Sequence, residues 1–433
     1  MKKFGKILIC LILCVFAVGL AACKEKPDPF FQTTASYAIG NGGLAVESDG
    51  YLYFVNGYKT SASQEKQNAR YSVGSLKVAK LNNGKLVTND NGSIKDDYLR
   101  TMSDKLCGFE ATSLYVFGDY LYFTSPCQEK IKGGDWAKER VDFNRIKLNK
   151  TGKVERVYQS NVNWDSLTYK YYYNGSSVYL MVCEVADSNT KMYRVNATQT
   201  KNNTEEICGN VTKYAFAKDT AGKVFYITTQ DSKNNYVLLN PITGNKTTKQ
   251  ESSVIGDVVG ITNKYVFFTT TANNLNQLRY YEISGDNLIG GQQLGDDYNG
   301  TKNFVVSQDN YVISTDDTSI TVVGNPNFNL TSQNLVSGES SVKVLGFANG
   351  SVIYYNGTEL KSSVLTTGDV NVIETVSDID TDHYSVAGNY VYYYKTANNN
   401  KYLFRVSALG GNSQLVGVYE EDDIPKAEEE EII

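Results

Sequence analysis

The chain has 433 residues, 41% hydrophobic and 21% charged, with a formal charge of −5 and one histidine. An acidic chain without a basic run disfavours nucleic acid as a partner. The lone histidine, His383, rules out His-rich metal centres and is the single candidate for a Ser-His or Cys-His pair.

Taken in chain order, Lys2, Lys3 and Lys6 precede the apolar run "ILICLILCVFAVGL", which is short for a membrane span and ends in Leu20-Ala21-Ala22-Cys23. That lipobox resembles the one in bacterial lipoproteins. The resemblance implies that residues 1–22 are a signal peptide removed at Cys23, and that Cys23 carries the lipid, palmitate included. The protein is then expected on the extracytoplasmic face of a bacterial cell membrane. Each buried lipid methylene contributes about 0.8 kcal/mol, so several acyl chains hold a soluble domain at the surface. Residues 23–34, with the polar, Pro-containing "KEKPDPFF", read as the lipidated tether. Loss of the three signal lysines takes the formal charge to −8.

From the tether to residue 419 one motif recurs: a turn residue, an aliphatic residue, then aromatic residues. Its copies are "DGYLYFV", "GDYLYFT", "GSSVYLM", "GKVFYIT", "NKYVFFT", "DNYVIST", "GSVIYYN" and "GNYVYYY". The aliphatic positions are Leu52, Leu121, Val178, Val224, Val266, Val312, Val352 and Val391, separated by 69, 57, 46, 42, 46, 40 and 39 residues. A hairpin turn precedes several copies. A third strand follows most of them ("SLKVAKL", "FNRIKL", "KMYRV", "YVLLN", "LRYYEI", "SITVV", "YLFRV"), often with a weaker fourth. Four short strands in roughly 40–48 residues is the period of propeller blades; immunoglobulin-like sandwiches and solenoid coils repeat at other lengths. The expected fold is therefore an all-β propeller over residues 35–419, with eight blades, or seven and an irregular strand. Packing of each sheet between two neighbours explains why "YVYYY" has no polar side, and the 33 tyrosines suit such interfaces.

The patterns "SVIYYN", "GNYVYYY", "KMYRVN" and "KYLFRVS" resemble TolB-like propellers and the surface-protein propellers similar to the lipoprotein-receptor-related β-propeller, a family of unknown function. The resemblance covers about residues 40–419 and implies the fold rather than an activity.

In such blades the connections from second to third strand and from fourth strand to the next blade share one face. The long stretches 57–73, 88–110 and 127–140 are assigned to that face, and excursions longer than about 12 residues are more often functional than structural. Tyr58, Trp136, Trp164 and Tyr298 map there and form the expected ligand-binding face, suited to stacking on a sugar or pinning a protein segment. Cys107 and Cys127 reach the same end, which suggests a disulfide. Cys183 and Cys208 fall on second and fourth strands, too far apart to bond.

Asp378, Asp380 and Asp382 resemble the start of a calcium loop, but His383 and Asn389 stand where Gly and Glu are needed, so they are weak metal candidates. Residues 420–433, "EEDDIPKAEEEEII", read as an acidic disordered tail. No HExxH, GxSxG or phosphate-cradling loop is present, and no cofactor is expected. The sequence thus favours a non-enzymatic, lipid-anchored binding or scaffolding module for a protein or glycan partner. The alternative is a carboxylate-based glycosidase or lyase on the same fold. Solute capture for a transporter is disfavoured by the lack of βαβ patterning.

Overall fold

The computed structural model describes residues 30–31, 38–56, 73–108, 113–127, 140–149, 151–186, 189–230, 233–251, 255–328, 332–377, 379–397 and 400–418. Their strands form eight antiparallel sheets, each from strands consecutive in sequence. Blades 1 to 8 span residues 45–108, 115–163, 167–208, 211–251, 258–293, 303–336, 343–375 and 379–415. Every blade has four strands, and Ala38–Ile39 adds a short fifth along the inner edge of blade 1. Innermost strands contact one another between blades 1 and 2, 4 and 5, 5 and 6, and 7 and 8, and apolar clusters join every successive pair of blades and the last to the first, giving an eight-bladed ring. Among the described residues no helix is long and apolar enough to cross a membrane.

The eight aliphatic motif positions all lie on the second strand of their blade and are at most 3% exposed. Successive strand side chains point to opposite faces, so strand Tyr390–Ala397 needs cover on both. Val391 and Tyr393 pack with blade 7, and Tyr392 and Tyr394 with blade 1. The same arrangement recurs around the ring, where eight apolar clusters correspond to the eight boundaries between adjacent blades.

An arginine repeats within this packing. Arg145, Arg194 and Arg405 sit on third strands, directly opposite Glu155, Glu205 and Gln414 on the fourth. Their guanidiniums lie 4.4, 4.0 and 4.4 Å from the ring centres of Tyr120, Tyr179 and Tyr390 on the second strand. Two of them also reach the next blade. Arg145 donates to the Ala197 carbonyl at 3.0 Å, and Arg194 to those of Pro241 and Ile242 at 2.6 and 2.7 Å. These are the arginines of "FNRIKL", "KMYRV" and "YLFRV".

Among the described residues the ring closes by side-chain and loop contacts, with no strand exchanged between first and last blades. Tyr394 donates to the Val55 carbonyl at 3.0 Å, and Leu44 N–H to Ser385 Oγ at 3.1 Å. After the last strand, Val418 N–H donates to Asn56 Oδ1 at 3.1 Å, and Ile94 N–H to the Gly417 carbonyl at 2.9 Å. Gly417 has φ +127°, and a Cβ there would fall 1.8 Å from Asn56 Oδ1. Phe30 and Phe31, at the end of the expected tether, are buried against blade 1, where Tyr51 donates to the Phe30 carbonyl at 2.8 Å.

Two expectations change. Residues 88–98 do not lead into blade 2: they lie between the third and fourth strands of blade 1, and Leu99–Gly108 is that fourth strand. By strand parity this connection leaves from the hairpin-turn face, opposite the other excursions. The third strand of blade 7, Glu359–Val364, escaped the pattern because Lys361-Ser362-Ser363 interrupts its apolar residues.

Gly417→Ala is expected to destabilise the ring by about 2–4 kcal/mol through backbone strain and the clash with Asn56, seen as a lower urea midpoint. The boundary between blades 5 and 6 has six buried apolar residues among those described, against nine to fourteen elsewhere. Strands Asn303–Val306 and Val312–Thr315 of blade 6 should therefore exchange their amide hydrogens fastest among the innermost pairs.

Candidate functional site

Of the expected binding face, Tyr58 and Trp136 fall outside the described residues, as does Cys23. Trp164 opens the single turn Trp164–Ser166 that enters blade 3, and its half-buried ring packs on the cluster between blades 2 and 3. Buried Glu184 holds the preceding chain, accepting from Tyr158 Oη at 2.8 Å, Asn161 N at 3.0 Å and Asn161 Nδ2 at 2.9 Å. Burial, with the Glu184 carboxylate beside it, drives the Tyr158 phenol far above its usual range.

Tyr298 lies in the connection from blade 5 to blade 6, bridged to Asn276, with its ring 5.5 Å from Phe304 and Lys302 Nζ 5.3 Å from its centre. Trp164 and Tyr298 share a face by parity, but blades 3, 4 and 5 separate them. They do not form one aromatic platform.

The acidic group diverges. Asp378 lies outside the described residues, and residues 380–383 bulge from the inner strand of blade 8, since Ile379 pairs with Lys395 while Tyr384 pairs with Tyr393. The Asp380 side chain, only 7% exposed, accepts from His383 Nδ1 at 3.0 Å, from the Asp382 amide at 3.0 Å and from Lys401 Nζ. Burial pushes its pKa up, but the bonds from His383, Lys401 and the amide outweigh burial and hold the carboxyl well below the usual range. Asp382 is 82% exposed and pairs with Lys343 at 3.1 Å. Among the described residues no group of three or more His, Cys, Asp or Glu side chains is placed to hold a metal ion.

Cys107 stands on the outer strand of blade 1, opposite Gly74, and its side chain falls outside the described residues, so the Cys107–Cys127 disulfide does too. Cys127 is buried, with Gln159 Nε2 2.9 Å from its sulfur. Cys183 and Cys208 are free thiols separated by the strand that carries Met192, as their strand positions require.

A cavity of about 530 Å³ lies in the central channel against the innermost strands of blades 3, 4, 5 and 6. Phe216, Val258, Ile261, Phe304 and Val305 supply apolar wall, and Tyr169, Tyr214, Thr262 and Ser307 supply hydroxyls. Strand pleating explains this mixture, because innermost strands present alternate side chains to neighbouring blades and leave their exposed edges along the channel. Lys218 and Asp219, from the first hairpin turn of blade 4, complete the wall. Asp219 is engaged, accepting from Ala221 N–H at 2.9 Å and from Asn263 Nδ2. Burial lowers the Lys218 pKa. Lys170, in "LTYKYYY" on the inner strand of blade 3, is pushed down to about 8 by burial and by Lys218, with Asp219 opposing. A charge within an otherwise aromatic and hydroxyl-bearing strand was the available sequence signal for this site, and the aromatic repeat concealed it.

No family model and no curated protein matches the chain. Among solved structures it is similar to TolB from Acinetobacter baumannii, at 12% identity over 69% of this chain and 80% of that one, with a TM-score of 0.33. It is also similar to the β-propeller domain of the Trilobed protease from Pyrococcus furiosus, at 11% identity over 73% and 98%, with a TM-score of 0.41. A third is a puromycin-hydrolyzing peptidase of Mycobacterium tuberculosis, at 12% identity over 73% and 54%, with a TM-score of 0.40. The chain thus spans about half the length of that peptidase.

Asp380→Asn should cost about 1–3 kcal/mol at neutral pH. Because the folded carboxyl ionises more readily than the unfolded one, its contribution is present above about pH 4 and is lost as pH falls below that value. Parent and variant should therefore converge in urea unfolding on acidification. Millimolar calcium should leave the melting temperature of both unchanged, since Asp380 is committed to cations and Asp382 faces solvent.

Proposed function

We propose that the chain is a lipid-anchored, extracytoplasmic β-propeller that acts as a binding or scaffolding module for a protein or glycan partner. The observation that carries this reading is the closed ring with the excursions 57–72 and 128–139 both joining second to third strands, on the same face as the turn at Trp164. A rigid ring fixes the strand ends that such segments join, and binding residues concentrate on loops held by a rigid scaffold. Tethering through Cys23 would raise the effective concentration toward partners at the same membrane.

The cavity lining contains one carboxylate, Asp219, and its oxygens are already engaged. Glycoside hydrolysis by the usual route requires two. This weighs toward binding over hydrolysis.

Cells fed a labelled palmitate analogue should incorporate it into the parent protein, and Cys23→Ser should abolish the label and move the protein to the aqueous phase of a detergent partition. Unchanged labelling would reject the anchor. A glycan array probed with residues 30–419, with Trp136→Ala and Trp164→Ala as variants, tests the face. Loss of sugar binding in either variant, with unchanged circular dichroism, supports it, and no binding shifts the partner class from glycan to protein.

A further inference from the structure

The channel cavity carries an inference that does not depend on how the excursion-bearing face is used. Lys218 extends from blade 4 across the channel, its Nζ 3.4 Å from the Val306 carbonyl of blade 6 and 5.9 Å from the Phe347 ring centre of blade 7. Lys170 extends from blade 3 toward blades 1 and 2, its Nζ 5.3 Å from the Tyr115 ring centre and 3.0 Å from where a Cβ on Gly42 would lie. Among the described residues neither ammonium is ion-paired. The acid that both could use, Asp219, is held by its own hairpin turn and by Asn263.

Lys218 in the cavity wall and Lys170 beside it, close enough for their charges to interact, with a single engaged carboxylate near them among the described residues, leave net positive charge in this part of the channel of an acidic protein. Removal of ammonium groups from bulk water opposes folding unless a counter-charge compensates, so the site is electrostatically incomplete without an anion. The walls narrow the class of anion. A lysine ammonium serves a carboxylate or a phosphate as a point charge, and among the described residues no arginine fork lines this cavity, while Phe216, Phe304, Val258 and Ile261 offer apolar surface that suits an organic body. The volume suits a small organic molecule.

We propose that the channel cavity between blades 3 and 6 binds an organic carboxylate with an apolar or aromatic body, its charge matched by Lys218 and Lys170 and its body lying on the Phe216 and Phe304 walls. The residues of the hairpin turns, Lys218, Asn263 and Gln308, place the polar end of this site toward the face opposite the long excursions.

The test is calorimetric titration of the full chain with 4-phenylbutyrate, with 4-phenylbutanol and phenyl phosphate as comparison probes. Saturable binding of the carboxylate is expected, with the alcohol weaker by about tenfold or more and the phosphate no tighter than the carboxylate. Lys218→Gln and Lys170→Gln should each weaken carboxylate binding by about threefold to tenfold, while Lys249→Gln on the outer strand of blade 4 should not. Affinity should decline as pH rises through about 8, where Lys170 loses its proton; Lys218, Asp219 and Tyr115 are the groups that face it. Both channel variants should melt no lower than the parent, since each removes an uncompensated cation. No carboxylate binding up to millimolar concentration, equal affinity for the alcohol, tighter binding of the phosphate, or a lower melting temperature in the lysine variants would each overturn the proposal.

Discussion

Every sheet in this protein is apolar on both faces, and only another blade can cover each face. That constraint makes the ring obligatory. Full burial of a large apolar side chain contributes about 1.5–3 kcal/mol, and the boundary between the last and first blades buries eleven such residues among those described, Leu52, Phe54, Tyr392 and Tyr394 included. Exposing that boundary would forfeit on the order of 20 kcal/mol, more than the roughly 5–15 kcal/mol net stability of a typical domain. Tyr394, Ser385 and the Gly417–Val418 segment make closure specific, because each satisfies a polar group that would otherwise be buried alone.

The repeated arginine gives physical content to the "YR" pattern. Arg145 and Arg194 each combine a cross-strand carboxylate, a diagonal tyrosine and carbonyls of the following blade. Lysine would meet the charge but not the geometry, since one ammonium cannot lie flat on a ring and reach carbonyls beyond it with a planar fork. Arg405 keeps the tyrosine and swaps the carboxylate for Gln414. It belongs to the last blade, whose neighbour is the irregular first. The motif therefore links adjacent blades, and its strength as a fold signal comes with no bearing on ligand choice.

The two candidate surfaces use opposite properties of the ring. One face carries the long second-to-third-strand connections of blades 1 and 2, while the channel offers a cavity whose walls are the inner strands themselves. In the channel, Lys170 and Lys218 are retained where an apolar residue would avoid the desolvation penalty. Asp380 shows the contrasting case, in which a shielded charge is compensated by Lys401, the His383 ring and an amide, and the group is structural.

Most of the fold was legible in the sequence, because the aliphatic-aromatic motif occupies the second strand, where both faces are buried and composition is most constrained. Val391 and Tyr393 could be read as covered on two sides before their neighbours were known. Legibility failed where polar residues interrupt the apolar pattern: Lys361-Ser362-Ser363 breaks that of Glu359–Val364, and residues 88–98 were assigned to the wrong face because the outer strand Leu99–Gly108 is polar. The channel site was not legible either. Strand position places Lys170 and Lys218 near the axis, but whether an ammonium finds a carboxylate there depends on side chains from blades 1, 2, 6 and 7, far away in sequence. The sequence by itself determined the repeat, the strand count of most blades and the separation of Cys183 from Cys208, since those follow from local periodicity. Only the tertiary structure decided how the ring closes, that Asp380 serves packing, and that Lys170 comes beside the cavity lined by Lys218, because each depends on contacts between segments whose spacing no local pattern encodes.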